Sequence, residues 1–219
     1  AESGVPTFRE AQTGLWARYD PQQLATPEAF QNNPQLVWEW YAWRRDLVSS
    51  AEPNPGHLAL VNLAKMVPEF NLITQNIDSL HQRAGSERVI ELHGNITRTK
   101  CSGDGEPVDS WDETRGFPPR CPRCAYYLRP DVVWFGESLP QTEIMKAVEI
   151  AERCDVFFSI GTSAIVQPAA SLPLYARRQG AILVEINLEQ TSLTPLVTYA
   201  LSGPAGDILP KLVKTASNH

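Results

Sequence analysis

The sequence predicts an α/β fold: a doubly wound, parallel, Rossmann-like sheet carrying a small domain of helices plus a cysteine loop. Three observations predict it. Val156-Phe157-Phe158-Ser159-Ile160 and Ala181-Ile182-Leu183-Val184-Glu185-Ile186 are short apolar runs bracketing a helical stretch, the βαβ order of a parallel sheet. Residues 21 to 66 carry only helical patterning. Residues 101 to 130 hold Gly103, Gly105, Pro107, Gly116, Pro118, Pro119 and Pro122, which leave little room for regular structure.

Taken in order, Asn33-Pro34 is a helix start, with Asn as cap and Pro at the first helical position. Leu36, Val37, Trp40, Tyr41, Leu47 and Val48 then recur near the helical period. Pro53-Asn54-Pro55-Gly56 breaks that helix, and His57 to Met66 reads as the next. Residues 70 to 94 alternate strand, short helix and strand, with Gly85 as a helix C-cap. After Pro130, Val132-Val133-Trp134-Phe135 reads as a strand and Gln141 to Arg153 as a helix. Val156 to Ile160 is apolar throughout and reads as a buried parallel strand. Ala169 to Gln179, closed by Gly180, is a helix before the last apolar strand. Residues 1–20, 67–96 and 131–219 thus form the Rossmann-like domain. Residues 21–66 and 97–130 supply the two modules of the small domain.

The chain has 219 residues, 42% hydrophobic and 20% charged, ordinary values for a globular domain with a real core. A net charge of −6 argues against a nucleic-acid partner and tolerates basic, lysine-rich ones. The four cysteines, 101, 121, 124 and 154, do not form a disulfide framework in a chain this long, so a reducing, cytoplasmic setting is expected. No apolar run reaches about 18 residues, so no membrane span is expected. No signal peptide is visible. The chain starts without Met, inside a motif, so further residues are expected upstream. A monomer is expected.

Open α/β sheets bind ligands at strand ends. The strand Phe70-Asn71-Leu72-Ile73 runs into Thr74-Gln75-Asn76-Ile77-Asp78, and Val89-Ile90-Glu91-Leu92 delivers His93 onto Gly94. Asn76 and Asp78 fall on one side of an extended stretch, because side chains alternate. An amide pair plus a carboxylate suits a ligand carrying its own carboxamide. Asp78 can equally cap the helix starting at Ser79. His93 is the candidate general base, since imidazole exchanges protons near neutral pH; alone at a strand end it reads as a satisfied polar residue. Gly161-Thr162-Ser163 can hold phosphate or ribose oxygens, or make a plain βα turn. Asn187 can hold a ribose or cap its strand.

Tyr41 and Arg44 lie i, i+3 on one helix and share a face. The plain reading puts Tyr41 in the core and leaves Arg44 solvated beside Arg45. Cys121-x-x-Cys124, with Cys101 upstream, reads as a zinc knuckle short of one ligand. The fourth is absent or is Asp104, and a metal-free loop is the alternative. Cys154, at a helix end before a core strand, reads as inert packing.

These words, with Ala1-Glu2-Ser3-Gly4-Val5-Pro6-Thr7-Phe8-Arg9, Cys121-Pro122-Arg123-Cys124, Val133-Trp134-Phe135-Gly136-Glu137 and Glu185-Ile186-Asn187, resemble in order and over nearly the whole chain the sirtuin family of NAD-dependent protein deacylases, of bacterial type. The resemblance implies NAD and a structural zinc. It puts Arg9 near the phosphates, Phe8 over the nicotinamide, and Gln75, Asn76, Ile77, Asp78, Gly161, Thr162, Ser163, Asn187, Leu188, Glu189 and Ala205 on NAD. Asp78 would accept from the nicotinamide carboxamide. His93 and Asn76 would be catalytic, His93 taking a proton from a ribose hydroxyl after the acyl-lysine oxygen has displaced nicotinamide. Nicotinamide leaves neutral, which suits one histidine rather than a carboxylate pair. Val133, Trp134, Phe135, Gly136 and Glu137 would form the substrate strand that takes an extended acyl-lysine peptide through main-chain bonds; by composition they are equally a core strand. Tyr41 and Arg44 resemble the Tyr-x-x-Arg pair that grips an acidic acyl group, since guanidinium matches a carboxylate and tyrosine adds a hydroxyl. The implied activity is removal of succinyl or malonyl groups, and of acetyl. The rivals are mono-ADP-ribosyl transfer and a non-catalytic NAD or acyl-lysine binding module.

Overall fold

The structure is a computed structural model, and it describes residues 2–5, 16, 18–112 and 116–217. Four helices start in the same way, with a polar cap followed by proline: α1 (Pro21–Leu24) on Asp20, α2 (Pro27–Asn32) on Thr26, α3 (Pro34–Ser50) on Asn33 and α4 (Pro55–Ala64) on Asn54. Proline has no N–H to leave orphaned in a first turn, and each cap oxygen takes one of the amides that follow. Asn54 and His57 satisfy each other's backbone in a capping box. The helix expected from His57 to Met66 is therefore Pro55–Ala64.

Strand β1 (Leu72–Thr74) pairs in parallel with β2 (Val89–Glu91), joined through the short helix α5 (Leu80–Arg83). Phe70, expected in the first strand, lies before it. Gly85 follows α5 at φ +104, the left-handed conformation that ends a helix. Strand β3 (Gly94–Cys101) is antiparallel to β4 (Leu128–Val132). After α6 (Gln141–Arg153), strands β5 (Val156–Ile160), β6 (Ile182–Asn187) and β7 (Tyr199–Ser202) form a parallel ladder in that order. The helix α7 (Leu172–Arg178), preceded by a 3-10 turn, connects β5 to β6, and α8 (Ala205–Ala216) closes the fold.

The sheet is covered on both faces, as its sequence pattern predicts. Leu183 of β6 packs with Ala147 and Ala151 of α6 and Leu172 and Ala176 of α7. Its neighbours Val184 and Ile186 pack with Ala59 and Leu60 of α4 and Leu209 and Val213 of α8. Residues of one strand thus serve opposite layers. Leu72 of β1 joins the second layer and Ile73 lies against the first, although no ladder joins β1 to β5. A third cluster holds Phe30, Val37, Trp40 and Tyr41 of the helical segment against Ile96, Val132 and Trp134. A fourth holds Trp38 against Cys101, Val108, Cys121 and Leu128.

Other elements differ from the sequence reading as well. The strand placed at Val132 to Phe135 ends at Val132, because the Val133 amide bonds the His93 carbonyl and Gly136, at φ +86, turns the chain. The strand β3 is not expected from sequence; its Asn95 to Lys100 stretch is short, polar and partly exposed, so its apolar alternation is weak. Strand β5 is parallel, but Val156 is 44% exposed rather than buried, at a strand end where the sheet meets solvent.

Candidate active site

The ends of three strands are tied together by side chains. Gln75, just after β1, donates from Nε2 to Thr162 Oγ1 at 3.4 Å. Asn187, ending β6, donates from Nδ2 to the Thr162 carbonyl at 2.8 Å. The Gly161-Thr162-Ser163 turn after β5 is thus held from both sides. Gly161 sits at φ +60, and a Cβ built there meets no atom of the described residues within 4 Å, so among them the turn fronts open space. The Asn187 side chain is engaged at both ends, since its Oδ1 accepts from the Leu188 amide at 2.9 Å. Both bonds fit the reading of Asn187 as a cap that ends its strand. Leu188 and Glu189 beyond it are exposed, and Ser163 is half-buried.

His93 is fixed by its neighbours. Its Nδ1 lies 2.9 Å from the Gln75 carbonyl. A carbonyl can only accept, so Nδ1 carries the hydrogen and the neutral ring keeps its lone pair on Nε2. Gly94 makes the position possible: it lies at φ +74, and a Cβ there would sit 2.2 Å from the Asp131 carbonyl oxygen. Any side chain would push β3 off β4 and move His93 with it.

Asn76 is exposed, and among the described residues its carboxamide makes no hydrogen bond. Asp78 accepts from the Leu80 amide at 3.0 Å, so it does hold the start of α5, while Ser79 takes the left-handed cap position at φ 59. The Ile77 carbonyl accepts from the Ile96 amide at 2.9 Å, which anchors the loop to β3. At the start of α8, the Ala205 and Gly206 amides donate to the Glu2 carboxylate at 2.9 and 2.8 Å. This helix terminus is an anion acceptor already satisfied from within the chain. Phe8 and Arg9 lie outside the described residues.

The Val133–Glu137 segment runs beside His93, through the 3.0 Å bond from the Val133 amide to the His93 carbonyl. The Phe135 amide bonds the Ala25 carbonyl at 2.9 Å, and its ring is exposed beside exposed Gly136. Glu137 points inward. Its carboxylate accepts from Arg129 at 2.6 and 2.9 Å and from the Trp134 amide at 2.8 Å. Burial alone would raise the Glu137 carboxyl, but these bonds and the Arg129 charge hold it below the usual carboxylate range.

Tyr41 and Arg44 share a face, as expected, but neither is solvated: they are 0% and 5% exposed. Burial pushes the Tyr41 phenol well above its ordinary range and pulls Arg44 down. Tyr41 is joined to the Val133–Glu137 segment by the Trp134 Nε1 bond to its hydroxyl, 3.0 Å. Sequence reasoning missed Arg129, Thr162 as a bridge and Trp134 as a partner of Tyr41; contacts across 93 residues leave no local signal.

Cys101, Cys121 and Cys124 bring their sulfurs within 4.8 Å of one another, a spacing that suits three corners of a zinc tetrahedron. Asp104 borders this cluster, its side chain interacting with Cys101. Its carboxylate faces Arg123 at 3.3 Å and accepts from the Glu106 amide at 2.9 Å. Cys154 packs half-buried against the α6–α7 layer. Among the described residues no helix is long and apolar enough to cross a membrane.

Parallel strands whose carboxyl ends gather amides, a glycine turn and an oriented histidine define a ligand-binding α/β protein. The Sir2 family profile matches residues 1–168, and the chain belongs to the Sir2 family. It is 48% identical over 222 residues to an NAD-dependent protein deacylase of Pyrococcus furiosus, covering 98% of this chain and 88% of that protein. The crystal structure of a Sir2 homologue–NAD complex superposes with a TM-score of 0.91 at 46% identity, covering 99% of this chain and 85% of that one. A Sir2 protein bound to acetylated peptide superposes at 0.87 with 29% identity, covering 100% and 89%.

Proposed function

We propose that this protein is an NAD-dependent protein lysine deacylase. It acts as a monomer on acyl-lysine side chains and prefers succinyl and malonyl groups while accepting acetyl. The observation that carries the reading is the His93 tautomer: Nδ1 is occupied by the Gln75 carbonyl, so Nε2 is the proton acceptor, at the mouth of the Gln75–Thr162–Asn187 strand ends. The names of the relatives, and a homologue crystallised with NAD, support the same reading.

Residues 1–20, 67–96 and 131–219 would bind NAD, and 21–66 with 97–130 would form the small domain. The donor set fits the dinucleotide: an open glycine turn at Gly161, the exposed Asn76 carboxamide and the polar ends of β1 and β6. When bound, NAD supplies an anomeric carbon whose leaving group departs neutral. Asn76 orients the ribose or a water, and Asp78 receives the carboxamide while still holding α5. His93 accepts the hydroxyl proton at Nε2. Gln75, Ile77, Gly161, Thr162, Ser163, Asn187, Leu188, Glu189 and Ala205 line the cofactor, with Phe8 and Arg9 covering it.

The Val133–Gly136 segment offers main-chain groups to an extended peptide. Glu137 acts within that segment rather than on the substrate. Tyr41 and Arg44 receive the acidic end of the acyl chain. Cys101, Cys121 and Cys124 hold a structural zinc. The expected result is NAD-dependent loss of succinyl from a succinyl-lysine peptide, followed by mass spectrometry with the full-length protein. His93→Asn should cost about 10²–10⁴-fold in rate with NAD still binding. Turnover without NAD, or His93→Asn at the wild-type rate, would refute the reading. Label from NAD accumulating on protein, with little free O-acyl-ADP-ribose, would instead favour mono-ADP-ribosyl transfer.

A further inference from the structure

Trp134 is held by an unusual density of contacts. Its indole Nε1 donates to the Tyr41 hydroxyl at 3.0 Å, in a fully buried setting. The Arg129 guanidinium lies over the indole face, 3.2 Å from the ring centroid. The same guanidinium grips Glu137 at 2.6 and 2.9 Å and the Val132 carbonyl at 2.8 Å. Glu137 in turn accepts from the Trp134 amide at 2.8 Å. Phe30 closes the remaining side, with ring centroids 5.2 Å apart. Both the backbone and the side chain of Trp134 are thus fixed by one ion pair.

The consequence falls on Tyr41. A phenol has one hydrogen to donate and lone pairs to accept. The indole N–H can only donate, so the bond uses the Tyr41 oxygen as acceptor and leaves its hydrogen free. Among the described residues that hydrogen has no acceptor, although the group is fully buried. A buried donor left unmatched is costly, and an incoming carboxylate would complete it.

We propose that Trp134, braced by Arg129 and Glu137, is a positioning residue for acyl selectivity: it turns the Tyr41 hydroxyl so that its hydrogen is presented to the carboxylate of an acidic acyl group. The proposal rests on the assignment of Tyr41 and Arg44 as the acyl-recognition pair. A neutral acetyl group has no carboxylate there, so the indole bond should matter to succinyl and malonyl substrates alone. Removing the N–H frees the phenol hydrogen to rotate away from that direction.

The test compares kcat/KM for matched succinyl-lysine and acetyl-lysine peptides in full-length protein with saturating NAD. Trp134→Phe keeps a ring and removes the N–H. It should lower the ratio of the succinyl to the acetyl value about fivefold, chiefly through the succinyl KM. Phe30→Leu loosens the same indole without touching the N–H and should move both substrates together. Where Trp134→Phe does not fold, benzothienylalanine at position 134 keeps the indole shape without its N–H and should reproduce the selectivity loss. An unchanged succinyl-to-acetyl ratio in Trp134→Phe and in the benzothienylalanine variant, while Tyr41→Phe and Arg44→Met abolish succinyl turnover, would overturn the role of Trp134 and leave the acyl-pair assignment standing. Undiminished succinyl turnover in Tyr41→Phe and Arg44→Met would overturn both.

Discussion

Glu185 is an acid inside a buried strand, 3% exposed, and its carboxylate determines where the loop after β6 lies. One oxygen accepts from the Thr191 hydroxyl and the other from the Thr194 hydroxyl, the latter at 2.5 Å. Those hydroxyls are themselves acceptors, Thr191 Oγ1 for the Leu193 amide at 3.0 Å and Thr194 Oγ1 for the Thr191 amide at 2.8 Å. Each hydroxyl hydrogen is therefore committed to Glu185. Glu185→Gln keeps the shape but sets an NH2 against one hydroxyl. The loss of one hydrogen bond to a charged group is about 2 kcal/mol. For a chain of this length that lowers the thermal midpoint by about 4–8 °C. The loop begins at Leu188 and Glu189, which are proposed to line NAD. A loosened loop should raise the KM for NAD about fivefold, roughly 1 kcal/mol of lost positioning, with kcat at saturation within about twofold. Differential scanning calorimetry and initial rates against NAD measure the two effects. Thr194→Val should act in the same direction through the other end of the bond. A Glu185→Gln protein with an unchanged midpoint and NAD KM would refute the reasoning. A fall in kcat at constant KM would place the effect in the chemistry instead.

Two further outcomes follow from the structure. His81 lies tilted against His57 with ring centroids 4.7 Å apart, and burial, then the His57 charge, depress it from 6.5 to about 4. The folded chain resists protonation, so between about pH 6.5 and pH 4 the unfolded chain binds more protons and stability falls as pH drops. One such group contributes up to about 3 kcal/mol, present above pH 6.5 and lost on acidification. Denaturant titrations at pH 7 and pH 5 should show a smaller difference in His81→Leu than in wild type, and equal differences would count against it. For the cysteine cluster, protein purified without added zinc should carry about one zinc per chain. Asp104→Ala should leave that ratio unchanged, because Arg123 already holds the carboxylate, and Cys124→Ser should lower it. A ratio near zero in wild type would refute the zinc assignment, and loss in Asp104→Ala would make Asp104 the fourth ligand.

Much of this protein was legible in order along the chain. The Asn33-Pro34 pair announces the start of α3, because its physics is local: a side-chain oxygen and a residue without an N–H decide where a helix begins. The apolar runs at β5 and β6 announce a parallel sheet covered on both faces, since strands of that kind show no alternation. The polar words at Gln75 to Asp78 and His93-Gly94 mark strand ends where ligands bind.

What those words do in the folded chain depends on partners far away in sequence. Nothing local says that His93 holds its hydrogen on Nδ1; the Gln75 carbonyl decides it. Nothing local shortens the strand after Pro130; the His93 carbonyl and the turn at Gly136 draw Val133 and Trp134 out of the ladder. Nothing local pairs Glu137 with Arg129, or sets the indole of Trp134 on the Tyr41 oxygen; both contacts form only in the folded chain. Propensity and patterning are properties of neighbouring residues, so the sequence by itself determined the strongly patterned helices and apolar strands and the chemistry available at their ends, while β3, β7 and α8 are not read from it. Hydrogen-bond direction, tautomer and the partner of each buried charge are set by groups that meet only after folding, and these the tertiary structure alone decided.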